Sequence, residues 1–93
     1  MVSASEWSRR LEPCTLRLPK KPLVRRIEVH PYLDHLGDEE IEVAVVLDPS
    51  TRGTECTWER LHPKYKRIGE RVREHDDPPY PYVHFQLRSK RIA

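Results

Sequence analysis

Between residues 57 and 76, Trp58, Leu61, Tyr65, Ile68 and Val72 recur at alternating steps of three and four, a spacing that puts all five on one face of an α-helix. A chain carrying such a stripe must give it something to cover. Residues 41–47 before it and 82–87 after it both have the hydrophobic pattern of strands. The expected fold is therefore α+β: a small antiparallel sheet of three to four strands covered by one main amphipathic helix, a ββαβ centre preceded by a short helix and strand.

Ninety-three residues suit one domain, and a chain of this size buries on the order of two thirds of its unfolded surface. Charged residues make up 34% and the mean hydropathy is −0.80, more polar than an average domain. The apolar residues are nevertheless gathered into periodic segments, which argues for order with frayed ends. No run approaches the roughly 18 to 20 apolar residues of a membrane span. Residues 1–11 lack an apolar segment followed by a small-residue cleavage site. The expectation is a soluble cytoplasmic protein. Cys14 and Cys56 lie far apart without paired-ligand spacing, so two reduced thiols are expected rather than a zinc knuckle or a redox pair.

The chain divides into residues 1–22, a short helix and edge strand; 23–87, the core; and 88–93, a mobile basic tail. Ser3 and Glu6 have capping-box spacing with Trp7 and Leu11 four apart behind them, a short helix ended by Pro13. So short a helix is ordered only when Trp7 and Leu11 dock on the body or on a partner, and both count as interface candidates. Cys14, Leu16 and Leu18 alternate with polar residues as in an edge strand. Residues 23–34 and 39–48 form a hairpin through Leu36, Gly37 and Asp38, with Pro31 marking an edge or bulge. Ile41, Val43, Val45 and Leu47 on one face, with Ala44 and Val46 on the other, mark a central strand. Thr57 is the expected N-cap of the main helix, and Pro63 predicts a kink or a restart there. In the last strand Val83, Phe85 and Leu87 face inward and Tyr82, His84 and Gln86 outward.

Three surfaces invite a functional reading. Five basic residues, Arg17, Lys20, Lys21, Arg25 and Arg26, occur between residues 17 and 26 without an acid. Arg60, Lys64, Arg67 and Arg71 follow one flank of the helix, and Arg88, Lys90 and Arg91 lie in the tail. Together they compose a candidate phosphate-contacting surface. Against it stand the acids Asp38, Glu39, Glu40 and Glu42 and the lack of any nucleic-acid-reading motif. Tyr80 and Tyr82, beside an open sheet edge, suit a protein interface. His30, Asp34, His35 and Asp38 gather imidazoles and carboxylates within nine residues, a weak candidate metal site without a catalytic spacing. A pairing of Cys56 with His62 at the helix start is a remoter nucleophile candidate. His62, His75 and His84 are scattered, and the three glycines are dispersed, so neither a triad nor a phosphate-cradling loop is expected.

The leading expectation is a non-enzymatic protein-binding module or accessory subunit, antitoxin-like in kind, that uses no cofactor and associates with another chain or itself. A nucleic-acid-binding module comes second and a metal-dependent hydrolase third.

Overall fold

The computed structural model describes residues 3–93; residues 1 and 2 of the expected N-terminal segment lie outside the described residues. The elements are α1 (Ala4–Arg10), α2 (Pro13–Leu16), β1 (Val24–Leu33), β2 (Glu39–Leu47), α3 (Trp58–Arg73), β3 (Pro81–Leu87) and β4 (Lys90–Arg91). The fold is α+β, with one sheet in the order β1-β2-β3-β4 and α3 as the main helix on it.

The sheet is mixed. β1 and β2 form the expected antiparallel hairpin, with Val29 opposite Val43 and His30 opposite Glu42. β3 instead runs parallel to β2, Val43 opposite Val83 and Val45 opposite Phe85, which corrects the expectation of an all-antiparallel sheet. The reason is the length of the connection. Sixteen helical residues rise about 24 Å, the length of about seven strand residues, so α3 returns the chain to the end where β2 began.

β2 is the central strand. Ile41, Val43, Val45 and Leu47 pack under the helices with Ile27, Val29, Phe85 and Leu87. Ala44 and Val46, also buried, face the opposite side. β1 is an edge, and Pro31 sits there without a broken ladder. Its partner Ile41 donates its N–H the other way, to the Tyr80 carbonyl at 3.3 Å, so no donor is required of residue 31.

α3 carries its apolar stripe inward, with Leu61, Ile68 and Val72 buried. The helix continues through Pro63 instead of restarting there. Proline has no N–H to give the Glu59 carbonyl, and burial of the stripe on both sides of residue 63 outweighs that single lost bond. Thr57 holds the N-cap position, though its hydroxyl makes no capping bond.

The N-terminal segment departs most from expectation. Ser3 does cap α1, its hydroxyl accepting from the Glu6 N–H at 3.3 Å, and Arg10 pairs with Glu6 at 2.7 Å. Trp7 and Leu11, proposed as interface, are buried members of the core; they are closed to a partner because the body itself covers them. Residues 14–18 form no strand. Pro13 opens the helical turn α2, where proline's fixed φ is favourable, and Arg17 leaves it in the left-handed region at φ 53. Leu16 is fully buried.

Two cations of α3 hold this segment. Lys64 is completely buried, its Nζ donating to the Pro19 carbonyl at 3.0 Å and the Lys21 carbonyl at 3.1 Å. Arg67 Nε donates to the Leu16 carbonyl at 3.1 Å. At the other end, the expected mobile tail is a strand. Arg88 and Ser89, both at positive φ, make a two-residue turn of the twist that hairpins favour. Leu87 then pairs with Lys90 and Gln86 with Arg91.

Replacing Lys64 by methionine keeps the aliphatic stem and leaves two carbonyls without their donor, for an expected loss of about 1–3 kcal/mol. Lys64→Ala adds a cavity and is expected to lose about 3–5 kcal/mol. Burial lowers the Lys64 pKa below its usual 10.5, so the unfolded chain holds that proton to higher pH. The margin of the native protein over Lys64→Met should therefore widen as pH rises toward 10.5. Urea midpoints of both proteins across this range check the sign; a narrowing margin contradicts it.

Candidate functional site

The cations of the expected phosphate surface do not form one surface. Lys64 and Arg67 turn inward to the carbonyls of residues 16–21. Arg71 pairs with Glu74 at 3.4 Å, and Arg26 with Glu28 at 2.6 Å, which lowers the Glu28 pKa. Arg17, Lys20, Lys21, Arg25 and Arg60 remain exposed. In the tail, Arg88 donates to the Pro49 carbonyl at 3.2 Å.

The histidine–aspartate turn also disperses. Asp34 Oδ1 accepts from the N–H groups of Leu36 and Asp38, both at 2.9 Å, folding the loop around Gly37 at φ 84. His30 stands on β1 with Glu28 at 3.6 Å. Among the described residues no group of three or more His, Cys, Asp or Glu side chains is arranged to hold a metal ion. Cys56 Sγ donates to the Arg52 carbonyl at 3.7 Å, and burial pushes its thiol pKa up, the opposite of nucleophile activation. His62 packs instead on Trp58, ring centroids 5.2 Å apart. His75 packs on Trp7 at 5.3 Å, and His84 bonds Gln86 at 2.9 Å.

What the fold does bring together is aromatic. Tyr82 on β3 lies 4.6 Å from Tyr32 on β1 and 4.7 Å from Tyr80, between ring centroids. The three rings form a patch at one end of the sheet face that bears Ala44 and Val46. All three are exposed, Tyr80 by 56%. Desolvation, aided by Asp34, raises the Tyr82 pKa, so this phenol stays a hydrogen-bond donor. Tyr80 and Tyr82 were legible in sequence as interface candidates; Tyr32 was not, because its approach to Tyr82 depends on strand order.

Beside this patch, a cleft of about 460 Å³ opens between α3 and β3. One wall is Tyr65, Lys66, Gly69 and Arg73; the other is the proline-rich approach to β3 with Tyr80, Pro81 and Val83. Glu40 at the rim accepts a short hydrogen bond from the Tyr80 N–H, fastening the proline segment to β2. Burial here is partial, and the wall mixes rings, prolines and cations, the composition of a recognition surface. A sequence signal for it existed. Residues 62, 66, 69 and 73 repeat the rhythm of the apolar stripe one residue later, about 100° further round the helix.

Neither family models, nor curated proteins, nor solved structures yield a match to this chain. The described helices include none long and apolar enough to cross a membrane.

The atoms nearest to a Cβ at Gly69 would be those of the Arg73 guanidinium, the closest at 3.2 Å, the free end of a flexible side chain. Gly69→Ala should therefore stabilise the protein by about 0.5–1 kcal/mol through helix propensity, while moving Arg73 away from the helix surface. Urea denaturation reads the sign, and a loss of stability would show that Arg73 is fixed in place.

Proposed function

We propose that this protein is a non-enzymatic protein-binding module, an accessory subunit that docks through the tyrosine-bearing end of its sheet. The observation that carries this reading is the contiguous patch of Tyr32, Tyr80 and Tyr82, exposed and in tilted and edge-on ring contact, next to a cleft walled by rings and prolines. Exposed aromatic rings on a rigid strand offer large contact area at low entropic cost, which is why they dominate protein interfaces. Leu33 and Leu36, exposed by 65% and 74% at the adjoining hairpin end, extend the apolar surface.

The competing nucleic-acid reading loses support where Lys64, Arg67 and Arg71 are engaged within the fold. The acids Glu40 and Glu42 beside the tyrosines oppose a phosphate backbone at this end.

The test is affinity capture from native lysate, with and without nuclease, using the native chain and the Tyr80→Ser/Tyr82→Ser variant. The expected result is a stoichiometric protein that survives nuclease and whose affinity for the variant falls by about tenfold or more, at least about 1.4 kcal/mol. Because both side chains are on the surface, thermal melting should shift little. Recovery of nucleic acid alone, released by salt, would overturn the reading in favour of a basic-surface binder.

A further inference from the structure

The two cavities at the tyrosine end share one wall. The cleft of about 460 Å³ and a second cavity of about 250 Å³ are both lined by Tyr65, Tyr80, Pro81 and Val83. The first opens toward α3, with Lys66 and Arg73; the second opens toward the other sheet face, with Tyr32, Tyr82, Glu42 and Arg91. Between them runs the outer side of β3.

That side is unpaired where the cavities meet. Phe85 donates its N–H to the Ala93 carbonyl and accepts from the Ile92 N–H, so its backbone groups point away from β2. Strand alternation sends the N–H and carbonyl of Val83, two residues earlier, the same way. Among the described residues, β4 pairs only with Gln86 and Leu87 and its continuation only with Phe85. Among the described residues no strand pairs with this side of Val83, which carries one backbone donor and one acceptor and is flanked by a cavity on each sheet face.

Charge selects the occupant. Neither Lys66 nor Arg73 makes an ion pair among the described residues, whereas Arg67 and Arg71 on the same helix both reach Glu74. The Glu40 carboxylate at the cleft rim accepts from the Tyr80 N–H and keeps its charge, so the two cations on the helix side outnumber the one acid of the lining.

Building on the binding-module reading, we infer that the partner contributes an extended acidic segment that adds as a strand to the outer side of β3. Its backbone bonds to Val83, and alternate side chains enter the two cavities. A carboxylate on the helix side meets Lys66 and Arg73, and an apolar or aromatic side chain two residues away packs on Tyr65 and Tyr80. A strand is the occupant because a peptide backbone supplies an acceptor for the Val83 N–H and a donor for its carbonyl, while its period of two serves a cavity on each face. A nucleic acid backbone offers no such repeat, because its phosphodiesters accept hydrogen bonds but do not donate them.

The experiment pans the full chain against a display library of random linear seven-residue peptides, then measures enriched peptides, terminally blocked, by fluorescence anisotropy. The expected enrichment is an acidic residue with an aromatic or β-branched residue two positions away. Lys66→Glu/Arg73→Glu should weaken binding about tenfold or more, and N-methylation of one backbone amide in the peptide should do the same. Arg17→Glu/Lys20→Glu, on the remote loop, should leave binding unchanged. Failure to enrich acidic peptides, or affinity indifferent to Lys66→Glu/Arg73→Glu, overturns the inference, as does tolerance of N-methylation at every position. Capture of the lysate partner by Lys66→Glu/Arg73→Glu at full affinity, together with its loss in Tyr80→Ser/Tyr82→Ser, would remove the strand-addition inference and leave the binding-module reading standing.

Discussion

The ammonium of Lys64, buried under the N-terminal segment with two carbonyls as its partners, joins parts of the chain that sequence separates by more than forty residues. An unpaired charge in such a place would be prohibitive, and even a hydrogen-bonded one gives up water. Burial lowers its pKa, the signature of that cost. The compensation is structural: residues 19–21 are held against α3, and with Arg67 on the Leu16 carbonyl they keep Leu16 in the core. Trp7 and Leu11 then close the same core. A surface helix and a short N-terminal arm thereby become one packed unit, and the helix cations that would otherwise face solvent are consumed.

The direction of β3 has a similar reach. Since α3 spans the full height of the sheet, β3 must start beside the start of β2, which brings Tyr80 and Tyr82 next to the hairpin end carrying Tyr32. An antiparallel β3 would have put its tyrosines at the far end. The proline segment before β3, fastened by the Glu40 carboxylate to the Tyr80 N–H, stands away from α3 and leaves the cleft between them. The aromatic patch, the cleft and the open edge at Val83 are thus consequences of one topological choice. They occur together because parallel pairing requires a crossover helix, and among the described residues β4 and its continuation reach along β3 only to Phe85.

Charge is distributed in the same pattern. Cations beside the N-terminal arm are used for internal hydrogen bonds, whereas Lys66 and Arg73, one position further round α3, face the cleft. Acids cluster at the hairpin end, where Asp34 is occupied in shaping the turn and Glu40 in holding the proline segment. This division favours a partner recognised by shape and local charge over a polyanion drawn by net charge.

The sequence by itself determined the elements whose periodicity is long and unbroken. The stripe from Trp58 to Val72 specified α3, the apolar run around Val43 and Val45 specified a central strand, and Pro31 marked an edge, because burial of a single face leaves a period that can be read locally. The short segments were decided by tertiary structure. Residues 14–18 fit a strand or a turn of helix equally well over five positions, and only the cover provided by α3 over Leu16 selected the helix. Residues 88–93 carry no hydrophobic period, yet pair because β3 offers them an edge. The candidate site follows the same rule: Tyr80 and Tyr82 were visible as aromatic residues near a strand start, while Tyr32, Lys66, Gly69, Arg73 and the free edge at Val83 became a site only when strand order and helix rotation set them side by side. Such proximity is a property of long-range pairing, and local spacing does not encode it.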